Sequence, residues 1–302
     1  METQPLISVV IVSYNTRDMT AECLRTLDRG LQGIPSEIIV VDNGSADGSV
    51  EAIRADFPAV RVIANPDNTG FGAANNLGMQ AARGDFFLLL NSDAFPEPEA
   101  AATMLAYLRE NPRAGVVGPR TLNKDGSLQI SCYKFPSPAH AWQENLWLSR
   151  GYSDWAHDTE REVEFIIGAC MLVRREVFAE VGGFDEKFFM YSEETDWQRR
   201  IWDAGWKIVF LPNARVTHLG GASGGTQSAK VRRYFFDSLD YYSRKHHGFG
   251  GLLAVRGAMV VGCFLRAILW SAASVLPSRR ELAASKVRLH SWLVLRQAFH
   301  WR

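Results

Sequence analysis

The chain has 302 residues, 47% apolar and 22% charged, which supports one large domain or a domain with an appendage and excludes a disordered chain. Formal net charge is zero, but residues 248–302 hold eight Arg or Lys against Glu281 alone, leaving +7 there and −7 on residues 1–247. Such asymmetry predicts a basic tail that meets an anionic surface. Cys23, Cys132, Cys170 and Cys263 form no CxxC pair, which argues against a zinc site or disulfide framework and fits a reducing compartment. The first residues lack a basic stretch followed by an apolar one, so no secretory signal is predicted.

Ile7 to Val12 is β-branched and reads as a buried first strand, followed by Ser13-Tyr14-Asn15. An amphipathic helix is predicted from Thr16 to about Arg29, with Thr20, Leu24 and Leu27 inward. Glu37 to Asp42 is a second strand, Asp47 to Ala55 a helix, Val60 to Ile63 a third strand and Asn75 to Arg83 a helix. Phe86 to Leu90 is too short for a typical helix and lacks a 3.6-residue period, so it reads as a buried parallel strand ending on Asn91-Ser92-Asp93. Alternating strands and helices with short connections predict an α/β fold with a parallel, doubly wound sheet.

Ala114 to Pro119 reads as another strand. Residues 121–160, rich in turn formers and tryptophan, predict irregular structure over the open side of the sheet. A strand from Glu164 to Val173, a helix from Arg175 to Val181, a polar helix from Ser192 to Ala204 and a strand from Trp206 to Phe210 follow. Val216-Thr217-His218 then leads into a glycine-rich loop through Gly225. Gly248 to Leu276 is strongly apolar but interrupted by Arg256 and Arg266, with no run of the roughly 18 uncharged apolar residues expected of a spanning helix. Ten helical residues turn about 1000°, which leaves these arginines about 80° apart on one side. With Trp270, Trp292 and Trp301 nearby, the expectation is a helix in the membrane interface, the alternative being a C-terminal helical pair packed on the domain, where buried unpaired arginines would be costly.

Ligand-handling groups of open α/β sheets lie at the C-terminal ends of the strands. Asp93 there suits a hard divalent cation whose other ligands are phosphate oxygens, or else it caps a helix. Asp42 beside Asn43 can accept from a ring N–H and donate to a carbonyl, as a uracil or thymine edge requires, with Ser13, Tyr14 and Asn15 adjacent; helix capping is the alternative. Asn68, Gly70, Phe71 and Asn75 belong to a segment opening a helix, where backbone N–H groups can face an anion or close a tight turn. The glycine fingerprint of a nicotinamide oxidoreductase is absent after the first strand, where Ser13-Tyr14-Asn15-Thr16 stands. Five acids fall within Asp185–Asp196, and Glu193 and Glu194 in a first helical turn could take a proton from an acceptor hydroxyl or simply suit the helix dipole. Asp196 has Arg199 and Arg200 as alternative partners. His218, a lone histidine after a strand, is placed to return to Asp93.

Taken in order, Val9–Asn15, Val40–Gly48, Asn68–Asn76, Leu88–Asp93, Ile167–Arg174, Gly183–Trp197 and Val216–Ser223 resemble the family 2 glycosyltransferases of the GT-A fold, especially rhamnosyltransferase-like members. The resemblance implies a Rossmann-like, mostly parallel sheet flanked by helices over residues 1–247, with basic amphipathic helices over 248–302. It implies inverting sugar transfer from a dTDP- or UDP-linked donor with Mg2+ or Mn2+. The best-matching donor is dTDP-L-rhamnose and the acceptor a polyprenyl-linked saccharide or surface polysaccharide, with UDP-hexose or galactofuranose as alternatives. Carried over by residue, Asp42 and Asn43 contact the base, and Asn91 and Ser92 the donor. Asp93 and His218 hold the metal, Glu194 is the base supported by Glu193 and Asp196, and Gly168, Ala169 and Trp197 meet the sugars. Two positions depart from the family pattern: Asn91 stands where Asp is usual in Asp-x-Asp, and Glu194 where Asp is commoner. The expected location is the cytoplasmic face of the cell membrane, with no nucleic-acid partner. A non-catalytic nucleotide-sugar binder on the same fold is the rival reading.

Overall fold

The computed structural model describes residues 4–148, 155–220, 229–275, 278 and 280–299. Arg279, Trp301, Arg302 and residues 221–225 of the predicted glycine-rich loop lie outside them. The chain forms two compact units, Met1–Phe135 with Trp155–Ser238, and Pro136–Asp154 with Leu239–Arg302.

The first unit begins with β1 (Ile7–Ser13), α1 (Arg17–Gly30), β2 (Ser36–Asn43), α2 (Ser49–Asp56), β3 (Arg61–Asn65), α3 (Phe71–Ala81) and β4 (Phe86–Asn91). After these come β5 (Ala94–Pro96), α4 (Ala100–Glu110), β6 (Ala114–Leu122) and β7 (Cys132–Tyr133). Past α5 (Pro138–Asn145), which belongs to the second unit, run β8 (Arg161–Glu162), β9 (Phe165–Ile166), β10 (Cys170–Arg174), α6 (Arg175–Val181), α7 (Glu193–Asp203) and β11 (Lys207–His218). The main sheet has the order β3-β2-β1-β4-β10-β6-β11-β5, with β8 also on β11.

Strands β1 and β4 are buried on both faces, and successive side chains sort into two layers as a two-residue period demands. Val9, Ile11, Leu88 and Leu90 pack with Leu24 and Leu27 of α1 and Met104 and Leu108 of α4. Val10, Phe87 and Leu89 pack instead with Met79 of α3 and Trp197 of α7. Helix α3 approaches β1 so closely that a Cβ at Gly78 would fall 2.3 Å from Val10 Cγ1.

The sheet is mixed. β3-β2-β1-β4 and the pair β6-β11 are parallel, but β10 runs antiparallel between β4 and β6, and β5 is antiparallel to β11. An apolar run specifies a buried strand without specifying its direction, so β10 was legible as a strand and its reversal was not. The predicted strand from Glu164 to Val173 is two strands, bent between Ile166 and Cys170 where Ile167 N–H donates to the Ser131 carbonyl. Conversely, Lys207–His218 is one strand with a register shift between Leu211 and Arg215. Helix α3 starts at Phe71 rather than Asn75, because Gly70 at φ 91° turns the chain into it.

The second unit contains α5, α8 (Ala229–Ala273) beyond Ser238, and α9 (Arg280–Phe299). Residues 136–148, read as part of an irregular cover, thus contain a helix of this unit. Helix α8 is interrupted at Gly248, where φ is 68°. Here the expectation about arginines is corrected. Arg256 is buried but paired, reaching Asp240 at 3.2 and 2.9 Å, and Arg296 reaches the same carboxylate at 3.3 Å. Arg266 donates to Asn145 Oδ1 at 3.0 Å and lies 4.9 Å over the Trp147 ring. These three arginines therefore face partners within the unit, and the exposed positions of α8 include Leu253, Phe264, Ile268 and Leu269. Among the described residues α8 is the one helix long and apolar enough, by length and composition, to cross a membrane.

Candidate active site

Sheet register gathers one end of β1, β2, β4 and β11. Asp42 lies opposite Ser13, and Asn91 opposite Val12, so three parallel strands finish level with one another. β11 runs parallel to β6, and its antiparallel pairing with β5 sets His218 opposite Ala94. Leu219 N–H then donates to the Asp93 carbonyl at 3.1 Å. The start of β10, with Gly168 and Ala169 just before it, lies at the same end, because Cys170 pairs with Leu90 and Asn91 N–H donates to the Ala169 carbonyl.

At the β1–β2 corner Asp42 is buried. Its Oδ2 accepts from Ser45 N–H at 3.0 Å, while Oδ1 is shielded and has no hydrogen-bond partner in the protein. A buried acceptor left in this state is costly unless a ligand completes it. Asn43 is a different matter from the sequence expectation. Its amide donates to Asn68 Oδ1 and the Gly70 carbonyl and accepts from Asn65, Thr69 N–H and Thr69 Oγ1. The side chain is thus a hub that shapes the 65–70 turn, with no capacity left to read a base edge. Asn15, at φ 52°, joins the β1 and β2 loops by accepting from Ala46 N–H at 2.8 Å, and Tyr14 beside it is half-buried.

The α3 N-terminus is also corrected as an anion site. Thr69 N–H bonds Asn43, Gly70 N–H bonds Asn68, and Phe71 N–H bonds the Phe189 carbonyl at 3.1 Å. Asn75 is buried and donates to the Phe71 carbonyl. The residues close a turn, and a Cβ at Gly70 would fall 2.5 Å from the Phe189 oxygen, so that turn docks on the 183–192 loop.

At the metal corner, Ser92 points inward. Its hydroxyl joins Thr16 at 3.0 Å, and Thr16 joins Ser13 and Thr20, a buried chain of four hydroxyls. The Ser13 and Ser92 hydroxyls are used within this network, and both pin the strand tips. Asp93 and His218 face each other, with Oδ1 and Nε2 3.4 Å apart. Asn91 places Nδ2 3.4 Å from the same ring nitrogen and leaves Oδ1 shielded without a partner. A carboxylate and an imidazole nitrogen fit a hard divalent cation that takes its remaining ligands from phosphate and water. Among the described residues no three His, Cys, Asp or Glu side chains cluster for a metal, so the protein's share of such a site is small.

The acidic helix supplies the third corner. Tyr191 and Ser192 take left-handed φ values of 68° and 64° just before α7, a strained entry into Glu193. Glu193 is buried towards α3, where a Cβ on Gly72 would meet its Cβ at 3.5 Å. Glu194 faces Gly168, whose added Cβ would lie 3.7 Å from that of Glu194. Burial pushes the Glu193 carboxyl well above the usual range, and the Glu194 charge adds to it. Burial also raises Glu194, against the opposing backbone N–H groups of Glu194, Thr195 and Gly168. One Oε2 of each lacks a hydrogen-bond partner.

Asp196 and Trp197 are structural. Asp196 is fully buried and binds Arg200 at 3.0 Å, and the Arg200 guanidinium also holds the Val181 and Gly183 carbonyls. Trp197 is fully buried and donates to the Gly182 carbonyl at 2.7 Å inside the core. Sequence reasoning missed two buried amides that hold this corner. Gln198 clamps Ile166 through both its N–H and carbonyl, and Asn76 does the same to Phe184. Gln198 is one helical turn beyond Glu194, a spacing that could have marked it.

Comparison with known proteins agrees with this geometry. Residues 8–182 match Glycosyl transferase family 2, and residues 153–220 match the N-terminal domain of galactosyltransferase. An N-acetylglucosaminyl-diphospho-decaprenol L-rhamnosyltransferase of Mycobacterium tuberculosis is 31% identical over 291 residues, covering 86% of this chain and 94% of that protein. Among solved structures, the mannosyltransferase PcManGT from Pyrobaculum calidifontis with GDP-Man and Mn2+ superposes with TM-score 0.62 at 17% identity, over 99% of this chain and 88% of that one. GalNAc-T7 with UDP, GalNAc and Mn2+ gives 0.58 at 18% identity, over 83% and 52%. The structural likenesses carry the GT-A fold, and the sequence match carries the lineage: the chain belongs to glycosyl transferase family 2 and is a glycosyltransferase.

Proposed function

We propose that the chain transfers L-rhamnose from dTDP-L-rhamnose, with inversion, to a saccharide on a polyprenyl diphosphate. The observation that carries this reading is the convergence, at one sheet end, of Asp42, Asp93, His218 and the Gly168–Glu194 contact. The donor and acceptor classes rest on the full-length mycobacterial relative.

In this reading Asp42 Oδ1 accepts the ring N–H of the thymine. Asp93 and His218 would hold Mg2+ or Mn2+, with Asn91 beside them, and the cation would offset charge on the leaving diphosphate. Glu194 takes the proton of the acceptor hydroxyl as its oxygen bonds to the anomeric carbon, and the bond from that carbon to the diphosphate oxygen breaks on the opposite face. Glu193 lies behind Glu194 towards α3, where burial favours its protonated form. A donor panel of dTDP-L-rhamnose, UDP-hexoses and UDP-galactofuranose, with Mn2+ or Mg2+ and a polyprenyl-diphosphate-linked N-acetylglucosamine, should release dTDP and no UDP. Release of UDP instead would reassign the donor. Absence of any release would favour the non-catalytic binder.

Residues 1–247 carry transfer in this scheme, and residues 248–302 bring the enzyme to the inner face of the cell membrane. Support comes from the exposed Leu253, Phe264, Ile268 and Leu269 and from the basic excess of that segment. Replacing Phe264 and Leu269 by Asp should abolish co-flotation with anionic phospholipid vesicles while the far-ultraviolet spectrum is kept. Unchanged flotation would place the membrane contact elsewhere.

A further inference from the structure

His218 is held from behind by a residue in a segment that the sequence marked only as irregular. Gln129 closes a short hairpin after β6: Gln129 N–H donates to the Thr121 carbonyl, and Asn123 N–H to the Ser127 carbonyl. Gln129 Oε1 lies 2.7 Å from His218 Nδ1, and its Nε2 lies 3.2 Å from the His218 carbonyl and 3.0 Å from Asn123 Oδ1.

The direction of these bonds follows from groups whose roles are fixed. A backbone carbonyl can only accept. The Leu128 carbonyl faces Asn123 Nδ2 at 3.4 Å, with Ser127 Oγ at 2.9 Å from the same nitrogen, so Asn123 turns its oxygen to Gln129. Asn123 Oδ1 and the His218 carbonyl are then two acceptors on one side of the Gln129 amide, which sets its NH2 there and its oxygen against Nδ1. An oxygen in that place requires an N–H on the ring. In the neutral imidazole Nδ1 therefore carries the proton, and Nε2 presents its lone pair towards Asp93 Oδ1 and Asn91 Nδ2, each 3.4 Å away. The Asn91 N–H is a fitting donor to that lone pair.

We infer that Gln129 is a positioning residue that selects the His218 tautomer with an unprotonated Nε2 and fixes the ring towards Asp93. A metal-ligating histidine needs its other ring nitrogen engaged in this way. This rests on the reading of Asp93 and His218 as cation ligands, and the two are separable by experiment.

In metal-free protein labelled with 15N-histidine, at a pH where the ring is neutral, His218 should show a protonated Nδ1 and an unprotonated Nε2. Gln129→Met should move the ring towards Nε2–H, and Gln129→Glu, which keeps an acceptor, should retain Nδ1–H. Mn2+ affinity in the presence of dTDP should fall roughly 10–100-fold in Gln129→Met, with a smaller loss in Gln129→Glu. An Nε2–H ring in the unmodified protein overturns the role of Gln129 even where His218→Ala loses Mn2+. So does an unchanged tautomer in a folded Gln129→Met protein. An undiminished Mn2+ affinity in His218→Ala overturns the metal reading of His218, and with it the consequence drawn for Gln129.

Discussion

Glu194→Gln should lower kcat by about 10²–10⁴-fold, the range for removing a positioned general base, while dTDP-L-rhamnose still binds with nearly unchanged affinity. The amide keeps the size of the side chain and its place beside Gly168, so the donor contacts proposed for Asp42 and Asp93 should be untouched. Turnover near that of the unmodified enzyme would move the base elsewhere. The nearest alternative is Glu193, which lies one residue away but towards Gly72 of α3. Glu193→Gln should therefore reduce kcat far less than Glu194→Gln. Burial and the Glu194 charge hold Glu193 high, whereas burial alone holds Glu194 high. Glu193 adds no repulsion that raises Glu194, so the acidic limb of kcat should stay in place in Glu193→Gln.

The same pair has a stability consequence with a definite sign. Both carboxyls have folded pKa values above their unfolded values, so across that interval the folded chain binds more protons than the unfolded chain. Stability contributed by the pair is present below the unfolded carboxylate value of about 4.3 and is lost as pH rises through the raised folded values. Glu194→Gln should accordingly melt higher than the unmodified protein at neutral pH, and the difference should vanish in acid. That outcome would mark the acidic turn as a site held at a cost to the fold, as are the left-handed Tyr191 and Ser192 that precede it.

Much of this was legible because burial on both sheet faces writes itself as an unbroken apolar run. Ile7–Val12 and Phe86–Leu90 lie within β1 and β4, and the polar residues after them mark the strand tips. What sequence could not give was strand direction, as with β10, or the facing of polar side chains. Asn43 and Asp42 are adjacent acid and amide, yet one is used entirely within the protein and the other keeps an open acceptor. Trp197 and Asp196 share a helix with Glu194 and point into the core, since a helix puts successive residues about 100° apart. Gln129 was out of reach for a further reason. Its partner is 89 positions away, and the β11–β6 register, with Thr217 opposite Leu122, brings His218 to it.

Asp93→Ala should remove Mn2+-dependent donor binding almost entirely, while metal-free dTDP binding, assigned above to Asp42 as a proposal, should remain. The tip reads Asn91-Ser92-Asp93, and Ser92 is turned into the hydroxyl chain behind it, so Asp93 is the one carboxylate this tip can offer a cation. A tip with two acids could lose one and keep partial affinity; this tip has no second. Loss of an outer-shell partner costs roughly 10–100-fold in metal affinity, and loss of the ligand itself should exceed that. The fold should survive, because the Asp93 carbonyl still accepts from Leu219 N–H and β5 keeps its pairing with β11. Asp93→Asn keeps the shape without the charge, so a similar loss there would assign the effect to the carboxylate. Calorimetric titration of dTDP with and without Mn2+ reads both terms, and an unchanged metal dependence in either variant would remove Asp93 from the site. Asn91→Asp supplies the converse arm, for a second carboxylate beside His218 Nε2 should let the protein hold Mn2+ before the donor arrives.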